Sequence, residues 1–182
     1  MKTKAAIGSY YHLAFPIQAM LVTCQNQENE TNIITLAWHT PISKKPPLYG
    51  ISIAPSRLSH QLIEKAKEFV INFMPYEFTQ DIHYCGTHSG RKFRKIDHTH
   101  LHFEASDTIQ TLRIKEAYAH LECRLDSQHT IGDHTLFIGE ILDLCIEDHA
   151  YENSILNNSM MKPSFYLGHN TYATIDEGQQ RF

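Results

Sequence analysis

The chain has no CxxC pair, no long basic run and no unbroken apolar stretch of membrane length. Its four cysteines, Cys24, Cys85, Cys123 and Cys145, are scattered over 182 residues, which spells out neither a zinc ribbon nor a dithiol redox motif. A chain this long does not need disulfide staples, so reduced thiols are expected. Cys24, Cys123 and Cys145 sit in strand-like runs and read as small core residues; Cys85 instead precedes a glycine-containing loop. Sixteen lysines and arginines face 20 acidic residues, a formal charge of −4 with histidines neutral. No basic run is long enough to follow a nucleic-acid backbone, so nucleic acid is not an expected partner. The apolar N-terminal stretch is broken by Ser9, His12, Pro16 and Gln18, which excludes a signal-peptide core and a membrane span there and gives a cytoplasmic expectation. HExxH, GxSxG, a Walker loop and a Rossmann glycine fingerprint are also missing, against zincin, serine-hydrolase, NTPase and dinucleotide-fold readings.

What is present suits one domain over residues 1–182, since 42% of residues are hydrophobic and that supports a substantial core. Alternating segments predict strands at Ala19 to Cys24, Ile33 to Trp38, Leu48 to Ala54, Phe69 to Phe73, Ala119 to Leu125, Leu136 to Glu147 and Ser164 to Leu167. Their alternation fits antiparallel sheets with one solvated face. Helices are expected from Ser56 to about Lys67, from Phe78 to about Tyr84, and in a short stretch between Tyr151 and Met160. Closure into a barrel removes the open edges of such a meander.

The densest signal is NIITLAWHTPIS, Asn32 to Ser43, followed by LYGISIAPSRLSHQLI, Leu48 to Ile63. In the second segment Tyr49, Ile51 and Ile53 share one strand face, while Gly50, Ser52 and Ala54 share the other, a small face with room for a flat ligand. Pro55 ends the strand, and Ser56, Arg57 and Ser59 open a helix. Hydroxyls, a guanidinium and free N–H groups at a helix start suit an anion. The same residues also fit a plain capped helix with a solvated arginine.

These two segments, with EFVIN (Glu68 to Asn72), CGTHSGRK (Cys85 to Lys92), ECRL (Glu122 to Leu125) and GDHTLFIGEI (Gly132 to Ile141), resemble in order the flavin reductase-like family, from roughly Phe15 to Tyr172. The resemblance implies a mainly β fold with helical inserts, an FMN-binding split β-barrel. It implies that Thr35, Ala37, Trp38, His39 and Thr40 run along the isoalloxazine ring and that Arg57 and Ser59, with Ser56, meet the phosphate. Ser52 and Ala54 lie where the ring or ribityl chain approaches. Cys85, Ser89, Gly90 and Lys95 belong to a family loop beside the cofactor, although Arg94 and Ile96 stand where the family more often has an acid and an aromatic residue. His134 falls at the family's histidine on the nicotinamide side; its place after Gly132-Asp133 also reads as an ordinary hairpin turn.

The resemblance implies an NAD(P)H:flavin oxidoreductase that binds FMN, takes NADH or NADPH as donor and forms a homodimer. A flavoredoxin-like carrier passing electrons to a redox protein partner, or a noncatalytic FMN-binding protein, remain alternatives. The alternation His98, His100, His102 invites a metal reading, because residues two apart share a strand face. No acid or cysteine accompanies them at recognisable spacing, so a solvated face and no metal are expected.

Overall fold

The computed structural model describes residues 2–26, 28 and 30–175; of the domain expected over 1–182, positions 1, 27, 29 and 176–182 lie outside them. A 3₁₀ helix at Ile7–Ala14 leads into β1 (Ile17–Gln18), β2 (Met20–Gln25), β3 (Thr31–Leu36), β4 (His39–Lys44) and β5 (Pro47–Ile53). Helix α1 (Leu58–Ala66), β6 (Glu68–Phe73) and helix α2 (Thr79–Thr87) follow. Then come β7 (Phe103–Glu104), β8 (Arg113–Ile114) and two long strands, β9 (Ala119–Ile131) and β10 (His134–Ile146). The hairpins β11 (Tyr151–Glu152) with β12 (Ile155–Leu156) and β13 (Phe165–Gly168) with β14 (Thr171–Ala173) complete the described chain.

Seven strands form one antiparallel sheet in the order β3-β2-β6-β9-β10-β5-β4. Its outermost strands, β3 and β4, are consecutive in sequence and joined only by Ala37 and Trp38. Two residues cannot span an open seven-stranded sheet, so the sheet curls until its ends meet. The result is a split barrel whose seam lies at that joint. The Ser52 N–H donates to the Trp38 carbonyl at 2.9 Å, which continues the β4–β5 ladder past His39 into the joint.

The barrel interior is filled by alternate residues such as Met20, Val22, Ile51, Ile53, Phe69, Ile71, Leu121 and Phe137, with Leu62 and Ile63 of α1 packed against them. Burying each such large apolar side chain contributes about 1.5–3 kcal/mol. The intervening residues Ala19, Leu21 and Ile33 join Met74, Ile82, Cys85, Leu101 and Ile114 in a second core. Strand β2 is therefore buried on both faces, unlike the one-sided strands expected from alternation, because α2 and its following loops cover the outer face. The Glu122 side of β9 is covered as well: its carboxylate accepts from the Asp107 N–H (2.8 Å), the Thr108 N–H (2.7 Å) and the Thr108 hydroxyl (2.6 Å). Arg113 lies 3.3 Å away and also pairs with Glu104 and Asp107.

Three local expectations need correction. The stretch from Tyr151 to Met160 holds a hairpin rather than a helix; Asn153 and Ser154 take φ of 50° and 65°, the left-handed pair that a tight two-residue hairpin loop requires. Helix α2 continues beyond Tyr84 to Thr87 and takes Cys85 and Gly86 out of the expected loop. Strand β9 runs past Leu125 to Ile131, where polar residues form an arm paired with β10 and turned at Gly132, φ 63°. Among the described residues no helix is long and apolar enough to cross a membrane.

Candidate functional site

A cleft of about 250 Å³ opens at the seam, between the end of β3 with Ala37 and Trp38 and the end of β5 with Ser52, Ala54, Ser56 and Arg57. The strand alternation builds it: Tyr49, Ile51 and Ile53 are buried towards the core, which leaves the small side chains of Ser52 and Ala54 at the cleft. Gly86, in the last turn of α2, closes the third side. A Cβ at Gly86 would lie 3.2 Å from the Thr35 side chain, so this wall is already at contact distance.

The cleft continues into a smaller chamber of about 80 Å³ lined by Asn32, Ser56, Arg57, Ser59, His88, Ser89, Gly90 and Lys95. Lys95 is 6% exposed. Its Nζ donates to the carbonyls of Ile33 at 2.7 Å and Cys85 at 2.6 Å, and an ammonium carries three donors. Burial, and then the Arg57 charge, push its pKa below the ordinary lysine value. Ser59 is buried and its Oγ accepts from Asn32 Nδ2 at 2.7 Å. Neither serine caps the helix: the N-cap is Arg57, and no side chain bonds to the helix start there. No carboxylate lines either chamber, in a chain with 20 acidic residues. The donor set of guanidinium, ammonium and hydroxyls fits a phosphate group.

At the opposite end, the Gly132-Asp133 turn delivers His134, whose Nδ1 donates to Asp133 at 2.8 Å. That contact holds the exposed Asp133 carboxyl below its usual range. The His134 ring lies 4.8 Å from Trp38 at 40°, and Tyr11 of the N-terminal 3₁₀ helix meets Trp38 at 6.0 Å. Trp38 is 36% exposed, a cleft wall rather than a core aromatic.

The structure thus brings Thr35, Ala37, Trp38, Ser52, Ala54, Ser56, Arg57 and His134 around one chamber and Ser59, Ser89, Gly90 and Lys95 around the other. Three expected positions stand apart. Cys85 is fully buried in the second core, its thiol pushed up to about 12 by burial, and only its carbonyl reaches the site by holding Lys95. Once Cys85 falls inside a helix, its side chain is turned into the second core. His39 donates from Nε2 to the Gln18 carbonyl at 2.8 Å and accepts at Nδ1 from the Tyr49 hydroxyl at 2.7 Å. Burial lowers its pKa, so it is a neutral brace beneath the joint. Thr40, next on β4, lines neither chamber. Asn32, Ile34 and His88 line the site without having been singled out as contacts. Asn32 and Ile34 were legible as β3 neighbours of Thr35, whereas His88 needed the position of α2.

The histidine run is not a strand. His98 ends a 3₁₀ turn, His100 faces Asp81 at 3.3 Å and His102 faces Glu116 at 2.7 Å, while Leu101 between them is buried. The three rings answer to separate partners and do not converge. A larger concavity of about 940 Å³ around Tyr76, Lys115, His120 and Met161 is lined by four glutamates, Glu77, Glu104, Glu116 and Glu147, and shares no residue with the seam.

Comparison with known proteins agrees with the geometry. Residues 12–170 match the model of the flavin reductase like domain. An uncharacterised protein of Archaeoglobus fulgidus is 37% identical over 128 residues, covering 70% of this chain and 71% of its own. The NADH-linked FMN reductase SmoA of Agrobacterium fabrum is 30% identical over 130 residues, 71% of this chain and 70% of its own. An FMN-binding protein from Thermus thermophilus, solved with 1-cyclohex-2-enone bound, superposes with a TM-score of 0.84 at 27% identity, over 100% of this chain and 98% of its own.

Proposed function

The chain belongs to the flavin reductase-like domain family, and on that premise we propose that it is a single-domain, homodimeric NAD(P)H:flavin oxidoreductase that binds FMN at the barrel seam. The carrying observation is the chamber of Arg57, Ser56, Ser59, Ser89 and Lys95, which has no carboxylate and opens onto a small-residue cleft. FMN, when bound, accepts hydride from a nicotinamide donor. Arg57 and Lys95 hold its phosphate and balance the charge. Ser52 and Ala54 leave the space its flat portion needs, and Thr35, Ala37 and Trp38 border it.

His134 orients the donor. The bond from Nδ1 to Asp133 fixes the ring beside Trp38 and leaves Nε2 to meet a polar group. The NADH-linked reductase relative supports nicotinamide as the source of electrons.

A visible absorption spectrum of the purified protein, followed by anaerobic titration with NADH and NADPH, tests the proposal. A flavin spectrum that bleaches with either nucleotide is expected. A flavin that stays oxidised with both would assign the protein to the electron-carrier or noncatalytic class, and riboflavin binding as tightly as FMN would remove the phosphate assignment.

A further inference from the structure

The loop beyond the anion chamber carries features that phosphate binding leaves unexplained. Four rings form a continuous cluster there. Tyr84 and His88 stack at 3.9 Å and 20°; Phe93 stands edge-on to His88 at 6.0 Å and to His98 at 6.2 Å; Tyr84 and His98 close the circuit at 5.8 Å. The backbone holds the cluster against the chamber, because the N–H groups of Lys92 and Phe93 both donate to the carbonyl of Ser89, a chamber residue. His88 belongs to both, lining the chamber and stacking on Tyr84. Phe93 is nonetheless 44% exposed, a large apolar face kept in water.

Cations flank it along the chain. Arg91, Lys92 and Arg94 are exposed on the same loop, and Arg57 and Lys95 lie just inside. Arg94 pairs with Asp97 at 3.6 Å, while Arg91 and Lys92 make no ion pair among the described residues. In a chain of formal charge −4, an exposed ring bordered by unpaired cations and joined to an anion chamber has the elements of a nucleotide site: a face for a base and charges for its phosphates.

We propose that the Tyr84–His88–Phe93–His98 cluster, with Arg91 and Lys92, is a binding site for an adenosine phosphate, the adenine lying on the exposed ring face and its phosphates meeting the two cations. Such a group arrives either as the AMP half of FAD or as the ADP half of the pyridine nucleotide. The site goes beyond the FMN reading and rests on it only for its neighbour.

Calorimetric titration with ADP, on protein with and without saturating FMN, tests the proposal. ADP should bind at one site with FMN in place, more weakly as salt rises, and about tenfold more weakly in Phe93→Ala, with FMN affinity unchanged. Charge reversal at the exposed Lys92, Lys92→Glu, should weaken ADP in the same way without disturbing any ring. Absence of saturable ADP binding, expulsion of FMN by ADP, or wild-type ADP affinity retained in both variants would overturn the site. FAD binding more tightly than FMN in the wild type, with that advantage lost in Phe93→Ala, would identify the flavin's adenine. NADH or NADPH saturation weakened in Phe93→Ala at constant FMN affinity would identify the donor's. ADP binding by protein that takes up no FMN would sink the flavin reading and leave this one standing.

Discussion

Two buried charged sites in this barrel are built in opposite ways. Around Glu122, Arg113 meets three carboxylates, and the buried Glu122 carboxylate accepts three further hydrogen bonds from Asp107 and Thr108. Burial alone would raise the Glu122 pKa, but the bonds from Thr108 and Asp107 and the Arg113 charge outweigh it and hold the carboxyl below its usual range. Around Lys95, a buried ammonium faces carbonyls, hydroxyls and another cation, with no carboxylate in either chamber. Satisfied charge is architecture. Buried positive charge held by neutral acceptors, with a further cation beside it, is chemistry suited to an anion.

The sharpest way to break that comparison is to damage each site and read both stability and binding. Glu122→Ala takes the acceptor from the N–H groups of Asp107 and Thr108 and from the Thr108 hydroxyl, while Arg113 keeps Glu104 and Asp107. It should cost about 1–3 kcal/mol of unfolding free energy for each donor left buried without a partner, measured by urea denaturation, while folded protein keeps its FMN affinity. The pH dependence should follow. Glu122 has a folded pKa below its unfolded value, so its stabilisation is complete above the ordinary carboxylate range and is lost as pH falls through the folded pKa. His39 and His120 are also depressed by burial, so stability should begin to decline earlier, as pH falls below about 6.5. A chemical-denaturation series from neutral to acidic pH showing flat stability would contradict both assignments.

At the other site the expected pattern is reversed. Arg57→Ala should weaken FMN by ~1.5–3 kcal/mol, roughly ten- to hundredfold, with the melting temperature of flavin-free protein unchanged. Riboflavin affinity should not respond. A drop in flavin-free stability matching that of Glu122→Ala would show that the two sites are not different in kind.

His134→Ala probes the open end of the cleft. Stopped-flow reduction of bound FMN should slow by roughly five- to 150-fold, equivalent to about 1–3 kcal/mol, with FMN affinity nearly intact. An unaltered rate would return His134 to a plain turn residue. Replacing His100 and His102 together, which face Asp81 and Glu116 outside the ring cluster, is expected to have the smallest effect, leaving flavin content and reduction rate unchanged; one equivalent of metal in the native protein, absent from the double variant, would refute that.

Legibility in the sequence followed the range of the interactions. The β5 alternation of Tyr49, Ile51 and Ile53 against Gly50, Ser52 and Ala54 is local: its core face is found as read, and Ser52 and Ala54 line the cleft, whereas Gly50 lies buried against Ile42 and Leu136. The 151–156 hairpin was missed because its two-residue Asn153-Ser154 loop lacks the glycine that usually marks such turns. The arm of β9 beyond Leu125 carries no apolar alternation, since it packs on no core. Lys95 was visible only through resemblance. No local pattern says that a lysine in RKFRKI will turn inward onto the carbonyls of Ile33 and Cys85, which lie 62 and 10 positions away.

The joint at Ala37 and Trp38 also ties ligand affinity to mechanical integrity. The two ends of the sheet meet there without a shared ladder of hydrogen bonds, so a molecule lodged between the ends of β3 and β5 acts as a bolt across the barrel's weakest line. Binding energy realised there is folding energy by mass action. At a free ligand concentration of about a thousand times the dissociation constant, it adds roughly 4 kcal/mol to the native state, and the segments flanking the seam should be the first to regain hydrogen-exchange protection as the cleft fills.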